Sequence, residues 1–407
     1  MLALVNANCS LGTNGVYKFS SEIYAARIFA LQHERQHLGH LLFVLAGSGE
    51  LRAGEVGRII SWLSSVSPEE STMIYVLTAA LAALDASTFL GSDHAFVGLI
   101  KSELAKTNWR MPELKALLTI KWCLFLIEAS NGDPSFEGTN GYSEGEIERL
   151  VTEAVRSDAL RYLSTLLNSA RTIEDVSADT LNLEELAFPD WNLAPNGEPL
   201  SASMDPAFYQ FVLQQVDILV VAFVTNLSPV LRRMRHADED TGHTLALSTS
   251  RARQPDPHSR TVSYSTQPPR SGLGNFFNLI AFVYADRPPD AALRWWADSS
   301  DGRLYAFLRW AAEARVTILL KPLYNMFGSL ARGPGCATYA YIFFPATGGW
   351  LVEERRHLER VGAPGQACLA HLIGYSVVFR TSVLKLANSL QSLVERSISA
   401  VRDSLYP

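Results

Sequence analysis

Apolar residues in this chain recur at the three- and four-residue spacing of a helix, and few runs show the apolar–polar alternation of a strand. Helix punctuation is frequent. Ser67-Pro68-Glu69-Glu70 and Ser143-Glu144-Gly145-Glu146 read as capping boxes, predicted to open helices that run through Leu84 and Val155. Asp205-Pro206 predicts a long helix to about Asn226, and Ser228-Pro229 starts another almost at once. Pro112 and Pro334 begin two more, because proline at the first helical position gives up no hydrogen bond. Between Ser329 and Phe344, one apolar helix stops at Gly333 and the next starts on Pro334. Glycine just past a helix end tolerates a left-handed backbone, so the link needs almost no loop. The single Asn196-Gly197 pair lies in a Pro-rich stretch and is not flanked by strand-like runs. The pattern predicts roughly 14 to 16 helices in antiparallel succession. The expected fold is all-α, an α-solenoid of stacked antiparallel helices in a HEAT/ARM-like superhelix, interrupted by one disordered loop.

That loop is Thr241 to Gly272. It is rich in Ser, Thr, Pro and Arg, has a single aspartate and almost no large apolar group, so it buries too little surface to order itself. It divides the chain into an N-terminal helical array over 16–240, a basic insertion over 241–272, a continuation over 273–345 and C-terminal helices over 346–407. No strict repeat of 20 to 50 residues is visible, which degenerate helical repeats allow.

Composition narrows the class. The chain has 407 residues, 48% hydrophobic and 19% charged, enough for a large core and too little charge for a disordered chain. Its net charge of −6 disfavours direct nucleic-acid binding. The four cysteines, Cys9, Cys123, Cys336 and Cys368, form no CxxC pair and read as reduced packing residues of an intracellular protein. The opening residues lack the basic-then-apolar order of a secretory signal. Ser71 to Ser92 carries one charge, Asp85, but its strongly apolar part is too short to span a bilayer and predicts a buried central helix. Phe211 to Leu227 is interrupted by Gln214, Gln215 and Asp217, so no transmembrane segment is expected.

One motif points to chemistry. His33-Glu34-Arg35-Gln36-His37 matches the HExxH pattern, in which two histidines on one helix face bind zinc and the glutamate activates a metal-bound water. A zinc-dependent hydrolase built on His33, Glu34 and His37 is the alternative reading. The longer form of the motif needs glycine and histidine where this chain has His40 and Phe43, and the downstream candidates Glu50 and Glu55 lie in or just after a Gly-rich connection. A helical wheel places Ile23, Leu31, Leu38, Leu41 and Leu45 on one face and His33, His37 and His40 away from it, on an expected solvated face. There is no GxSxG elbow, Walker A loop or strand-linked GxGxxG. Lone His371 reads as a core histidine. Trp295, Trp296, Tyr305 and Trp310 cluster in one helical pair, as core or as a surface for apolar peptide anchors.

Several stretches resemble one family. Asn108-Trp109-Arg110-Met111-Pro112-Glu113-Leu114-Lys115-Ala116 with Trp122, the run from Asp217 and Phe223 to Leu231-Arg232-Arg233-Met234-Arg235-His236-Ala237-Asp238-Glu239-Asp240, and Gly333-Pro334-Gly335-Cys336-Ala337 occur in its order. They are similar to the large inner-ring scaffold nucleoporins of the nuclear pore complex, the nucleoporin one-ninety-two and two-hundred-five family. Glu34 through Phe43 is compatible with an early helix of that family, which makes the HExxH match incidental. Members are longer α-solenoids, so this chain resembles an N-terminal portion or a truncated product, and the wording after Phe344 departs from theirs. The resemblance implies a non-enzymatic scaffold at the nuclear envelope that supports nucleocytoplasmic transport. It implies other inner-ring and linker nucleoporins as partners, and no catalytic residue, metal, cofactor or small-molecule substrate.

Overall fold

In the computed structural model, the structure describes residues 21–68, 70, 72–86, 94–132, 142–170, 205–251, 271–297, 302–314 and 316–346. Among them there are fourteen α-helices and no strand. The chain divides into two compact units, Met1–Arg232 and Arg233–Pro407.

The first unit holds α1 (Ser21–Gly47), α2 (Ala53–Ser65), α3 (Met73–Ala83), α4 (His94–Ala105), α5 (Pro112–Gly132), α6 (Glu144–Arg156), α7 (Ala159–Ala170) and α8 (Pro206–Asn226). Helix α1 packs on α3, α2 on α3 and α4, α5 on α6 and α7, and α8 on α3 and α5. Helix α3 is buried on every side from Met73 to Ala82, as the apolar run predicts. It begins later than expected. Glu70 donates its N–H to the Ser67 carbonyl (3.0 Å), closing a separate turn, and its carboxylate accepts from the Thr72 N–H (3.2 Å) and hydroxyl (2.7 Å) before the helix starts. The other punctuation holds. Ser143 caps α6 by accepting from the Glu146 N–H, and Asp205 caps α8 by accepting from the Ala207 N–H. Helix α8 is long and apolar enough to cross a membrane, but most of that stretch is buried in the protein, which is how a core helix looks. Asp158, with φ of 60°, turns α6 into α7 within two residues.

Helix α9 (Ser228–Arg251) follows α8 after Leu227 alone and contains the division between the units. It extends past the expected start of the insertion, because residues 241–251 remain helical. Thr241 and Thr244 turn their hydroxyls back onto the Ala237 and Asp240 carbonyls, so they do not compete with the ladder. Residues 252–270 lie outside the described residues, as do 346–407 beyond Ala346, Cys9, Cys368 and His371. The second unit continues with α10 (Gly272–Ala285), a 3-10 turn (Pro289–Ala292), α11 (Leu293–Trp296), α12 (Arg303–Ala312), α13 (Thr317–Leu330) and α14 (Pro334–Ala346). Helix α10 lies along α13, and α11 packs on α12 and α14. Trp295 and Trp296 are buried, and each indole N–H is matched: Trp295 donates to the Tyr284 hydroxyl (2.6 Å) and Trp296 to the Leu330 carbonyl (2.8 Å). This pair is core. Cys123 and Cys336 are buried free thiols, and burial pushes the Cys123 thiol up to about 12.

Candidate docking surface

Helix α1 carries the HExxH motif, and its two faces are set by one close approach. Gly39 is buried, and a Cβ there would overlap the Tyr75 ring of α3. His40 stacks on Phe208 of α8 (4.8 Å between rings) and lies 3.4 Å from the Asp205 carboxylate. Phe43 stacks on Phe211 (5.3 Å), and Ala46 packs among Ala79 and Ala82. Burial, and the Asp205 charge after it, pushes the Tyr75 phenol up to about 12.

The opposite face is open. His33 and His37 are exposed with ring centroids 4.4 Å apart, as expected. The rest of the wheel is corrected. Leu41 and Leu45, expected inside, are 55% and 37% exposed beside Val44 at 59%, and His40 is turned inward. A hydropathy wheel gives Gly39 no weight, although its missing side chain is what lets α3 come close and fixes which face is inside. Phe211, 40% exposed, adjoins this row through Phe43. The result is an apolar surface at the C-terminal half of α1.

The zinc reading gains no further ligand. Glu55 is engaged at the start of α2, where it accepts from the Arg52 N–H (2.9 Å) and meets Arg58 (3.7 Å). Among the described residues no group of three His, Cys, Asp or Glu is placed to hold a metal ion.

The three family-like stretches each make a specific joint. In the first, Arg110 N–H donates to the Ser64 carbonyl (2.9 Å), Lys115 Nζ to the Lys106 carbonyl (2.8 Å), and Trp109 and Met111 are buried. Met111 and Met73 also flank the Tyr162 hydroxyl, which burial pushes well above its usual range. In the second, Arg235 pairs with Glu239 (2.9 Å), lies over Trp310 and donates to the Trp310 and Glu313 carbonyls. Asp238, 2% exposed, accepts from the Ser271 hydroxyl (2.7 Å) and the Leu273 N–H (3.0 Å), while Ser271 accepts from the Gly274 N–H (2.9 Å). It therefore caps α10 from α9, and sequence reasoning missed this because the two residues are far apart in the chain. In the third, Gly333 has φ of +81°, and a Cβ there would come 2.6 Å from Pro289 Cβ. Cys336 Sγ donates to the Pro289 carbonyl (3.3 Å), so the Gly-Pro-x-Cys-Ala wording seats α14 on the 3-10 turn.

One buried charge was also missed. Lys121, 1% exposed in the middle of α5, is held below its ordinary value by burial, partly offset by Asp85 and Glu128. Burial raises Glu128, which also meets Asn226 of α8 at 3.4 Å.

Closely linked helices, residue-specific joints and an open apolar face describe a helical scaffold. The family model for nuclear pore complex scaffold nucleoporins 186/192/205 matches residues 4–356, and the chain belongs to that family. It is a component of the nuclear pore complex, located at the nuclear envelope. A comparison with curated proteins finds no match. All three stretches lie inside the matched range, and so does the HExxH motif.

Proposed function

We propose that the chain is a non-enzymatic structural component of the inner ring, where it presents helical surfaces to other inner-ring and linker nucleoporins and so supports nucleocytoplasmic transport. The family match over 4–356 carries this reading. Helix-on-helix packing supports it, since stacked helices offer extended faces for several partners at once. The Leu41, Val44 and Leu45 row supports it further, because a pore protein with apolar side chains finds a surface there that no described helix covers. In this reading the N-terminal array runs from 16 through α9, the insertion separates α9 from α10, the array resumes to 345, and 346–407 forms divergent C-terminal helices.

Imaging of the endogenously tagged protein, with co-purification, tests the proposal. A punctate nuclear rim and co-purifying pore proteins are expected. A signal without rim enrichment, with no pore protein recovered, overturns it.

A further inference from the structure

Helices α10 and α13 run parallel. Both start against one short stretch of α9. At the head of α10, Asp238 accepts from the Ser271 hydroxyl and the Leu273 N–H. One turn further along α9, a Cβ on Gly242 would come 2.7 Å from Val316 Cγ1 at the head of α13. From there the two helices keep step. A Cβ on Gly274 would lie 3.5 Å from Pro322 Cγ, and Arg332 donates to the Tyr284 carbonyl (3.4 Å), so both contacts join residues 48 apart in the chain. Ala281 and Ser329 continue the same register, and both are buried.

On that register Asn278 of α10 is level with Asn325 of α13 to within one residue. At about 100° per residue, Asn278 is turned about 40° from Gly274, and Asn325 about 60° the other way from Pro322. Parallel helices face each other with opposite sense, so these opposite turns bring both side chains to one side of the seam. The Asn278 Oδ1 acceptor and the Asn325 Nδ2 donor are both buried and have no hydrogen-bond partner among the described residues. A buried amide group left unpaired costs free energy, and here each side chain lacks what the other holds. The last torsion of asparagine is soft, so a small rotation joins them. The rest of the seam is largely apolar, and apolar contact is non-directional. A buried asparagine pair, by contrast, is satisfied in one register only.

We infer that Asn278 and Asn325 form an interhelical amide bond that holds α10 and α13 in one register. The bond acts between stacked helices of the second unit, whatever the protein's partners.

Hydrogen exchange of the purified full-length chain tests the inference, with Asn278→Leu, Asn325→Leu and the double variant, since leucine has nearly the shape of asparagine. Each single variant strands one buried amide group and is expected to speed exchange in α10 and α13 about tenfold. The double variant removes both polar groups, so its protection is expected to return to within about threefold of the unaltered chain. Amide NMR spectra of the double variant read the register: split or broadened α10 and α13 signals are expected once the two helices can slide. Single variants that fail to fold beside a double variant that folds support the inference as well. Single variants that exchange like the unaltered chain overturn it. So does a double variant that fails to fold, or whose exchange equals the two single effects multiplied, because either result shows that the two amides act separately. One sharp set of α10 and α13 signals in a protected double variant overturns the register role.

Discussion

Replacing Asp238 with alanine should loosen the start of α10 although the two lie on different helices. The carboxylate accepts the Ser271 hydroxyl and the Leu273 N–H, and Ser271 in turn holds the Gly274 N–H. Loss of a helix cap costs about 1 kcal/mol. Leaving the buried Leu273 N–H without an acceptor adds about 1–3 kcal/mol. Alanine also removes a buried carboxylate, and this returns on the order of 1 kcal/mol. The net expected loss is about 2 kcal/mol, or roughly thirtyfold faster exchange at Leu273 and Gly274. Asp238→Asn keeps an acceptor and should lose less than about 1 kcal/mol. A pH series adds a sign. Burial, opposed by hydrogen bonds from Ser271 and the Leu273, Gly272 and Gly274 amides, raises the Asp238 carboxyl above its ordinary range. The folded chain then holds the proton at pH values where the unfolded chain has lost it. Stability contributed by protonated Asp238 is full below the ordinary carboxylate range and is lost as pH rises through the raised value. Relative to Asp238→Asn, the native chain should therefore weaken on that rise. Urea denaturation followed by circular dichroism reads stability, and hydrogen exchange reads the helix end. If Asp238→Ala lies within about 0.5 kcal/mol of the native chain and α10 exchange is unchanged, the capping argument is wrong.

Other outcomes follow from the same geometry. Gly333→Ala should cost about 2–3 kcal/mol in urea denaturation, because it forces a side chain into a left-handed backbone and into Pro289. Gly39→Ala should cost about 1–2 kcal/mol despite better helix propensity, since Tyr75 is in the way, whereas Gly57→Ala meets only the movable end of Leu99 and should be close to neutral. Lys121→Met removes the buried cation facing Asp85 and Glu128 and should cost about 2–3 kcal/mol at pH 7, less than for a fully buried pair because Glu128 is half-buried. That difference should shrink as pH falls through the raised Glu128 value, where the carboxylate left behind becomes neutral. Leu41→Asp with Val44→Asp should leave helicity unchanged and reduce co-purification of pore proteins at least about tenfold, as truncating apolar anchors does.

What the sequence made legible was local. Asp205-Pro206, Ser143, Pro112 and Gly333-Pro334 act within one turn, and each starts or ends a helix where the wording says. Distant approaches were not legible. The inward face of α1 depends on Tyr75 meeting Gly39, and a wheel drawn on α1 alone cannot register it. The Ala-Asp-Glu-Asp run gives no sign of its partner until Ser271 is placed beside Asp238. Lys121 lies in an apolar run whose pattern shows the burial but not the carboxylates that compensate it. The family resemblance was legible because its three stretches encode such joints, each with demanding geometry.

The turn at Gly333 has a mechanical consequence. Helices α13 and α14 meet across residues 331–333, with the Ala331 N–H bonded back to Phe327 and the Ala337 N–H to Gly333. Such a joint has no slack to pay out. A pull on α14 loads the end of α13 and the Pro289 turn at once, so the joint resists stretching and then fails as a unit instead of uncoiling a residue at a time.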